Sequence, residues 1–284
     1  MALRINYNLA ASVAQRSLGA SQDNYAKQAE RLATGLRINK AGDDAAGMAV
    51  SERLKNQVRG LNQAQRNAQD GVSMIQTAEG AMAEAHTILA RMRELAIQAS
   101  NDTVTANDRA NLQVEFSALY SEIDRIASST QFNGIAVLNG ASGNNLKLQI
   151  GANTDSGGDN AVTLNISSTS GFQPTMLDAN FANAGASITA QSAASGTITV
   201  LDNAVNAVSS ARASLGALQA RLESASRSIA VASENAAAAN SRIADADIAG
   251  SMSELVRAQI LQQAGISVLA QANQAPSLVL QLLK

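Results

Sequence analysis

The side chains able to do chemistry are few and scattered. The single histidine, His86, falls one place off an apolar stripe of helical spacing. That favours a helix-surface position over a catalytic base. Asp43 and Asp44 are adjacent and could hold a cation, but neighbouring residues diverge on a helix and no third ligand stands near them. A helix cap or a surface pair fits them better. No Gly-x-Ser-x-Gly elbow, phosphate loop or strand-linked Gly-x-Gly-x-x-Gly occurs. Met74, Met82 and Met92 return at helical spacing, as core filler does. The absence of cysteine removes disulfides, thiolate metal sites and Cys nucleophiles. Asn101-Asp102-Thr103 and Asn165-Ile166-Ser167 have the form of the glycosylation tripeptide, which carries weight only in a secretory context. What remains is a charged group, Arg91, Arg93 and Glu94, set among apolar residues. Taken alone it reads as a solvated helix face with pairing worth about 0.2–0.5 kcal/mol. The residues point to no enzyme, cofactor or metal.

The element that carries Arg91 and His86 is long. Leu61, Ala64, Ala68, Val72, Ile75, Ala78, Met82, Ala85, Leu89, Met92, Ala96 and Ala99 follow one another at steps of three or four, the period of a supercoiled helix. At the helical rise, residues 61–99 span roughly 58 Å. So narrow a stripe on so long a helix needs partner helices along its length. A shorter helix, about Asn107 to Ser129, offers Leu112, Phe116, Leu119, Ile123 and Ile126 and should fold back on the first. Phe132-Asn133-Gly134 then closes it with a turn. From Asn139 to about Gly196 the chain turns rich in Asn, Ser, Thr and Gly. Within it Leu146, Leu148 and Ile150 alternate with polar residues, as do Val162, Leu164 and Ile166, which predicts a short hairpin. A second seam begins near Asp202, a predicted N-cap, and runs through Val205, Val208, Ala211, Leu215, Leu218, Leu222, Ala225, Ile229, Ala232 and Ala236. Two seams of matched length around a central insert predict an antiparallel pair.

The flanks are different. Residues 1–40 read as a sparse helix, with Leu9, Val13, Leu32 and Leu36 among its anchors, and 42–47 as a loop leading into a helix. Past Ile243, residues Ile248, Met252, Val256, Ile260, Ala264 and Val268 form a broader apolar face; beyond Pro276 comes a nearly uncharged tail containing Leu280. Aromatics are only 2% of the chain, and small side chains suit closely packed helices. A net charge of −2 suggests neither nucleic-acid nor acidic-lipid binding, although residues 1–60 carry nine Lys/Arg against five Asp/Glu. No signal-peptide core and no apolar run of membrane-spanning length is present. That sets a cytoplasmic default, unless export follows a route without a cleaved signal. Apolar ends that one copy cannot cover predict assembly.

Several stretches resemble bacterial flagellin: Arg31-Leu32-Ala33-Thr34-Gly35-Leu36-Arg37-Ile38-Asn39-Lys40-Ala41-Gly42-Asp43-Asp44-Ala45-Ala46-Gly47, Thr130-Gln131-Phe132-Asn133-Gly134, and Ser241-Arg242-Ile243-Ala244-Asp245-Ala246-Asp247. So do Arg257-Ala258-Gln259-Ile260-Leu261-Gln262-Gln263-Ala264-Gly265 and Val268-Leu269-Ala270-Gln271-Ala272-Asn273-Gln274. The resemblance covers about residues 1–140 and 197–284. It implies a self-assembling structural subunit of the motility filament, short-form because only a small central segment separates its halves. It implies a mainly α fold: a long antiparallel helical bundle or coiled coil with paired terminal helices and a small central β-hairpin region. The expected domains are 1–45 and 241–284 as the two parts of an inner-core helical domain, 46–140 and 197–240 as the parts of a rod-like outer-core domain, and 141–196 as a short hairpin and irregular insert.

The resemblance also implies type III export, an extracellular location, and partners in an export chaperone, the filament cap and hook-associated proteins, with no nucleic acid and no membrane. Flagellins detected by the vertebrate receptor TLR5 carry Arg-x-Arg-Glu-Leu and a later glutamate. Arg91-Met92-Arg93-Glu94-Leu95 and Glu115 match, giving Arg91, Leu95 and Glu115 as candidate contacts, while Ala90 stands where glutamine is usual. The expected seam is Leu61, Val72, Ile75, Met82, Leu89, Met92, Leu215, Leu218, Leu222 and Ile229. The expected polymerisation residues are Leu9, Val13, Leu32, Leu36, Met252, Val256, Ile260, Val268 and Leu280. The alternatives are a hook–filament junction protein, an enzyme on a flagellin scaffold, which the short insert without histidine disfavours, and a generic helical bundle.

Overall fold

A computed structural model describes residues 8–138, 146–153, 160–164 and 187–282, with Leu164 and the last eight residues described by backbone alone. Local signals set the ends of its helices. Asn8 caps α1 (Leu9–Thr34) by accepting from the Ala11 amide, and Gly35, at φ 71°, closes it in the left-handed conformation glycine favours. Asp44 accepts from the Gly47 amide at 2.8 Å and so caps α2 (Ala45–Ala99). Thr105 and Asp108 form a reciprocal capping box on α3 (Ala106–Ser129). Two further helices follow, α4 (Gln191–Ala244) and α5 (Ile248–Leu282).

Among the described residues the strands are two small antiparallel pairs. β1 (Gln131–Phe132) and β2 (Ile135–Ala136) join through Asn133 and Gly134, both at positive φ, the backbone a two-residue hairpin turn demands. β3 (Leu146–Gln149) pairs with β4 (Ala161–Leu164), with Leu148 opposite Val162. The expected strands begin within a residue of these; Ile166 lies outside the described residues.

The chain forms two compact units. Unit 1 comprises residues 1–56 and 235–284, and unit 2 residues 57–234. In unit 2 the predicted seam of α2 is buried from Leu61 to Ala99, with Val72 partly so. It packs with Phe116 and Ile123 of α3 and with Leu201, Val208, Leu215 and Leu222 of α4. Salt bridges join Arg93 to Asp202 at 2.6 Å and Arg212 to Glu79 at 3.4 Å. Polar residues are also buried here: the Ser233 hydroxyl donates to Asn62 Oδ1 at 2.9 Å. The β3–β4 hairpin packs on α2 where Gly71 leaves room for Leu148, and Asn67 holds the Gln149 carbonyl at 2.9 Å.

Two expectations for α4 need correction. Asp202 is not an N-cap: the helix starts eleven residues earlier, at Gln191, and Asp202 lies within it, paired to Arg93. The earlier start is held in place by tertiary contacts. Ile188 is buried and its amide donates to Gln113 of α3 at 2.7 Å, while Ala194, Thr197 and Leu201 continue the seam. Ala232 also faces solvent, and Ser233 takes its place inside.

In unit 1, α1 and α5 run antiparallel. Asn8 Nδ2 donates to the Ala272 carbonyl at 2.8 Å, and Leu18 lies beside Gly265. The connectors following α1 and α4 are tied together. Leu36 and Asp245 form a β-bridge, the Arg37 amide donates to Ala244 at 2.7 Å, and the Ala246 amide donates to Gly35 at 2.9 Å. The Arg37 guanidinium donates twice to the Ile243 carbonyl, which satisfies the C-terminal end of α4. In the same unit Ser51 donates to Asn240 at 2.7 Å.

Candidate functional site

Two surfaces merit construction from their residues. The first belongs to the terminal helices. The inward side of α5 is made by Leu255, Ala258, Gln262, Gly265 and Leu269, with small residues letting α1 approach. Away from that contact Met252, Val256 and Ile260 follow one another at four-residue steps, an apolar ladder with Ile260 59% exposed, and Ile248, Leu261, Ile266 and Val268 are exposed on the flanks of the same helix. On α1, Leu9 and Val13 are likewise exposed. Most of the large apolar side chains described on α5 are thus left uncovered by its intramolecular partner. Leu32 and Leu36, expected on the same surface, are half-buried within unit 1, Leu36 through its bridge to Asp245. The Leu280 side chain lies outside the described residues.

The second surface lies on α2 and α3. Arg91 reaches Glu115 across the two helices at 2.9 Å and Glu94 along its own helix at 3.0 Å. The hydrogen bonds it donates, to Glu94 first and then to Glu115, raise its already high pKa. Arg109 of α3 secures the end of α2 by donating to the carbonyls of Ala99 at 2.8 Å and Asn101 at 3.0 Å. Arg91 and Glu115 are both exposed, with Ile97 and Val114 among the exposed apolar residues of the same two helices. Leu95 is a correction: it is 1% exposed and belongs to the core of unit 2. Three residues beyond Met92, it falls on the seam side of α2 and supports the charged face from beneath.

The remaining candidates for chemistry have structural partners or stand apart. Asp43 accepts Lys27 at 2.9 Å and the amides of Asn39 and Lys40, and these bonds hold its carboxyl down to about 2, the Lys27 bond contributing most. Glu30 binds Lys40 at 2.8 Å and Asn39 at 2.7 Å, and Lys40 above all lowers its pKa. His86 is half-buried, and its Nδ1 is enclosed without a hydrogen-bond partner among the described residues.

Small-residue helix pairing at the chain ends, with the apolar sides left uncovered, defines a structural subunit built for assembly. Two family models match: the bacterial flagellin N-terminal helical region over residues 5–143 and the bacterial flagellin C-terminal helical region over residues 198–283. The chain belongs to the bacterial flagellin family.

The flagellin of Halalkalibacterium halodurans is 46% identical over 280 residues, 99% of either chain. That of Bacillus subtilis is 44% identical over 308 residues, covering 99% of this chain and 100% of the relative. The flagellar filament 30.7 kDa core protein of Treponema maltophilum is 45% identical, covering 98% of this chain and 99% of its own. The protein is therefore a structural subunit of the flagellar filament, a homopolymer of a family that forms the extracellular part of the flagellum.

Proposed function

We propose that the filament grows by covering the outward sides of α1 and α5, with neighbouring copies burying Leu9, Val13, Met252, Val256, Ile260 and Val268. The ladder on α5 carries this reading: fully burying a side chain of this size is worth about 1.5–3 kcal/mol, and one copy leaves the ladder in water. Residues 1–45 and 241–284 then act as the inner-core part of the assembly, and 46–140, 141–196 and 197–240 as its outer part. An uncovered apolar ladder also suits an export chaperone that shields the subunit before type III secretion, and cap and hook-associated proteins that receive it afterwards. Deleting residues 250–284 abolishes seeded fibre growth in negative-stain microscopy while unit 2 keeps its circular-dichroism signal. Fibres of normal length from the deleted chain overturn the reading. A full-length chain that never forms fibres favours the junction-protein alternative.

A second reading concerns the Arg91–Glu115 surface, which is exposed, charged and held by two helices. As a monomer it presents a contact for the vertebrate receptor TLR5, with Arg91 and Glu115 touching the partner and Leu95 fixing the helix below. Arg91→Ala lowers reporter-cell signalling by roughly tenfold, the loss of about 1.4 kcal/mol of contact, with the helical signal unchanged. An equal response from the folded variant removes the receptor reading and leaves the filament function untouched.

A further inference from the structure

We propose that Met252 is an oxidation site whose sulfoxide turns the assembly surface off. The inference rests on the reading that neighbouring copies cover the outward side of α5.

The methionines with described side chains differ sharply in access. Met74, Met82 and Met92 are buried in the core of unit 2, and Met48 is half-buried. Met252 is 48% exposed. It stands four residues after Ile248 and four before Val256, inside the outward ladder. Its thioether is thus the one among these that a small oxidant reaches most readily, and it lies where apolar character matters most.

The co-reactant is a peroxide, with hydrogen peroxide as the simplest case. A sulfur lone pair attacks one peroxide oxygen, the O–O bond breaks, and an S–O bond forms. The departing oxygen leaves as water after proton transfer. Sulfur loses two electrons and the peroxide gains them, so the step needs no further reagent. The product is a polar, chiral group that accepts hydrogen bonds, and methionine sulfoxide reductases convert it back. Covered by Ile248, Val256, Ile260 and their counterparts on a neighbour, that oxygen meets no donor from the ladder. A buried acceptor without a partner opposes burial.

The chemistry separates two states of one protein. A free subunit exposes the thioether; an assembled subunit covers it. Oxidation therefore acts before incorporation, and filaments already built keep Met252 reduced.

The test treats the purified full-length chain with hydrogen peroxide and follows each methionine by peptide mass mapping. Cleavage after arginine isolates Ile243–Arg257, in which Met252 is the sole methionine. Met252 gains one oxygen ahead of Met74, Met82 and Met92. The oxidised chain then needs a roughly tenfold to hundredfold higher concentration to extend seeds, as the lost burial of one such side chain implies. Sulfoxide reductase restores growth. Met252→Leu keeps an apolar side chain at this place, and whatever its own rate of seed extension, peroxide leaves that rate unchanged. Preformed filaments treated in the same way leave Met252 unmodified.

Unchanged growth by chains fully oxidised at Met252 overturns the inference. So does peroxide sensitivity that persists in Met252→Leu, or oxidation of the buried methionines first. Ile260→Lys separates this from failure of the assembly reading. If it blocks growth while the Met252 sulfoxide does not, only the oxidation switch fails; if it grows normally, the covered-ladder reading fails as well.

Discussion

Unit 2 and the α1–α5 pair of unit 1 are built from similar material, long alanine-rich helices with an apolar residue every third or fourth position. They finish differently. In unit 2 the seam of α2 finds α3, α4 and the β3–β4 hairpin within the same chain, and Phe116, Ile123, Leu89 and Met92 lose nearly all access to water. In the α1–α5 pair the inward contact is made largely by small or polar residues, Ala14, Ala258, Gln262 and Gly265. Leu255 and Leu269 aside, the larger aliphatic groups of α5 with described side chains are exposed. Helical period is thus common to both regions. What separates them is whether the chain supplies its own partner for the larger side chains. A region whose partner is internal is stable alone, whereas one whose partner is another copy is finished only by assembly.

The strongest way to test that contrast is to damage the finished region. Phe116→Ala opens a cavity in the core of unit 2 and costs about 3–5 kcal/mol, read as a lowered denaturation midpoint of the monomer. A midpoint within error of the parent chain would break the claim that this core is closed.

A smaller effect belongs to the polar network of unit 1. The Asp43 carboxyl ordinarily titrates near 3.8 and is held to about 2 by Lys27 first, then by the amides of Asn39 and Lys40. A depressed pKa contributes stability above the ordinary value and loses it as pH falls through the folded one, so the loss runs from about pH 4 down to about 2. Asp43→Asn therefore lowers the stability of unit 1 at neutral pH, and its difference from the parent chain closes as pH falls to 2. Circular-dichroism melts at both ends of that window decide it.

The smallest effect is the sharpest probe of the unfinished region. In the monomer, Ile260→Lys changes stability by no more than about 0.5 kcal/mol, because the side chain already faces water. A large destabilisation of the dilute monomer would place Ile260 against an intramolecular partner and collapse the contrast.

Much of the finished region was legible in the sequence. The α2 seam repeats so regularly that its buried side follows from spacing alone, and Phe116 and Ile123 follow from the same rule on α3. The start of α4 did not. Thr197 and Gly196 are weak helix formers, and Ile188 gains its place from tertiary contacts, burial in the core and an amide bond to the distant Gln113 side chain. Ser233 and Ser51 are buried polar residues and so are invisible to a search for apolar period. On α5 the periodicity shows an apolar stripe but cannot say which side meets α1, because the true contact side is marked by small residues. The Arg91–Glu115 pair was legible only through family resemblance. Leu95 belongs to the seam, and only packing distinguishes it from its charged neighbours.

The lacing of the two connectors has a mechanical consequence. Arg37 and Ile243 are 206 residues apart in the chain, yet guanidinium and backbone bonds hold them together at the point where α1 and α4 end. Tension applied to α5 or α1 meets this knot of hydrogen bonds before it can peel either connector away singly. A protease cut near Gly42 would sever the backbone, yet the pieces would still be fastened to each other beside the wound.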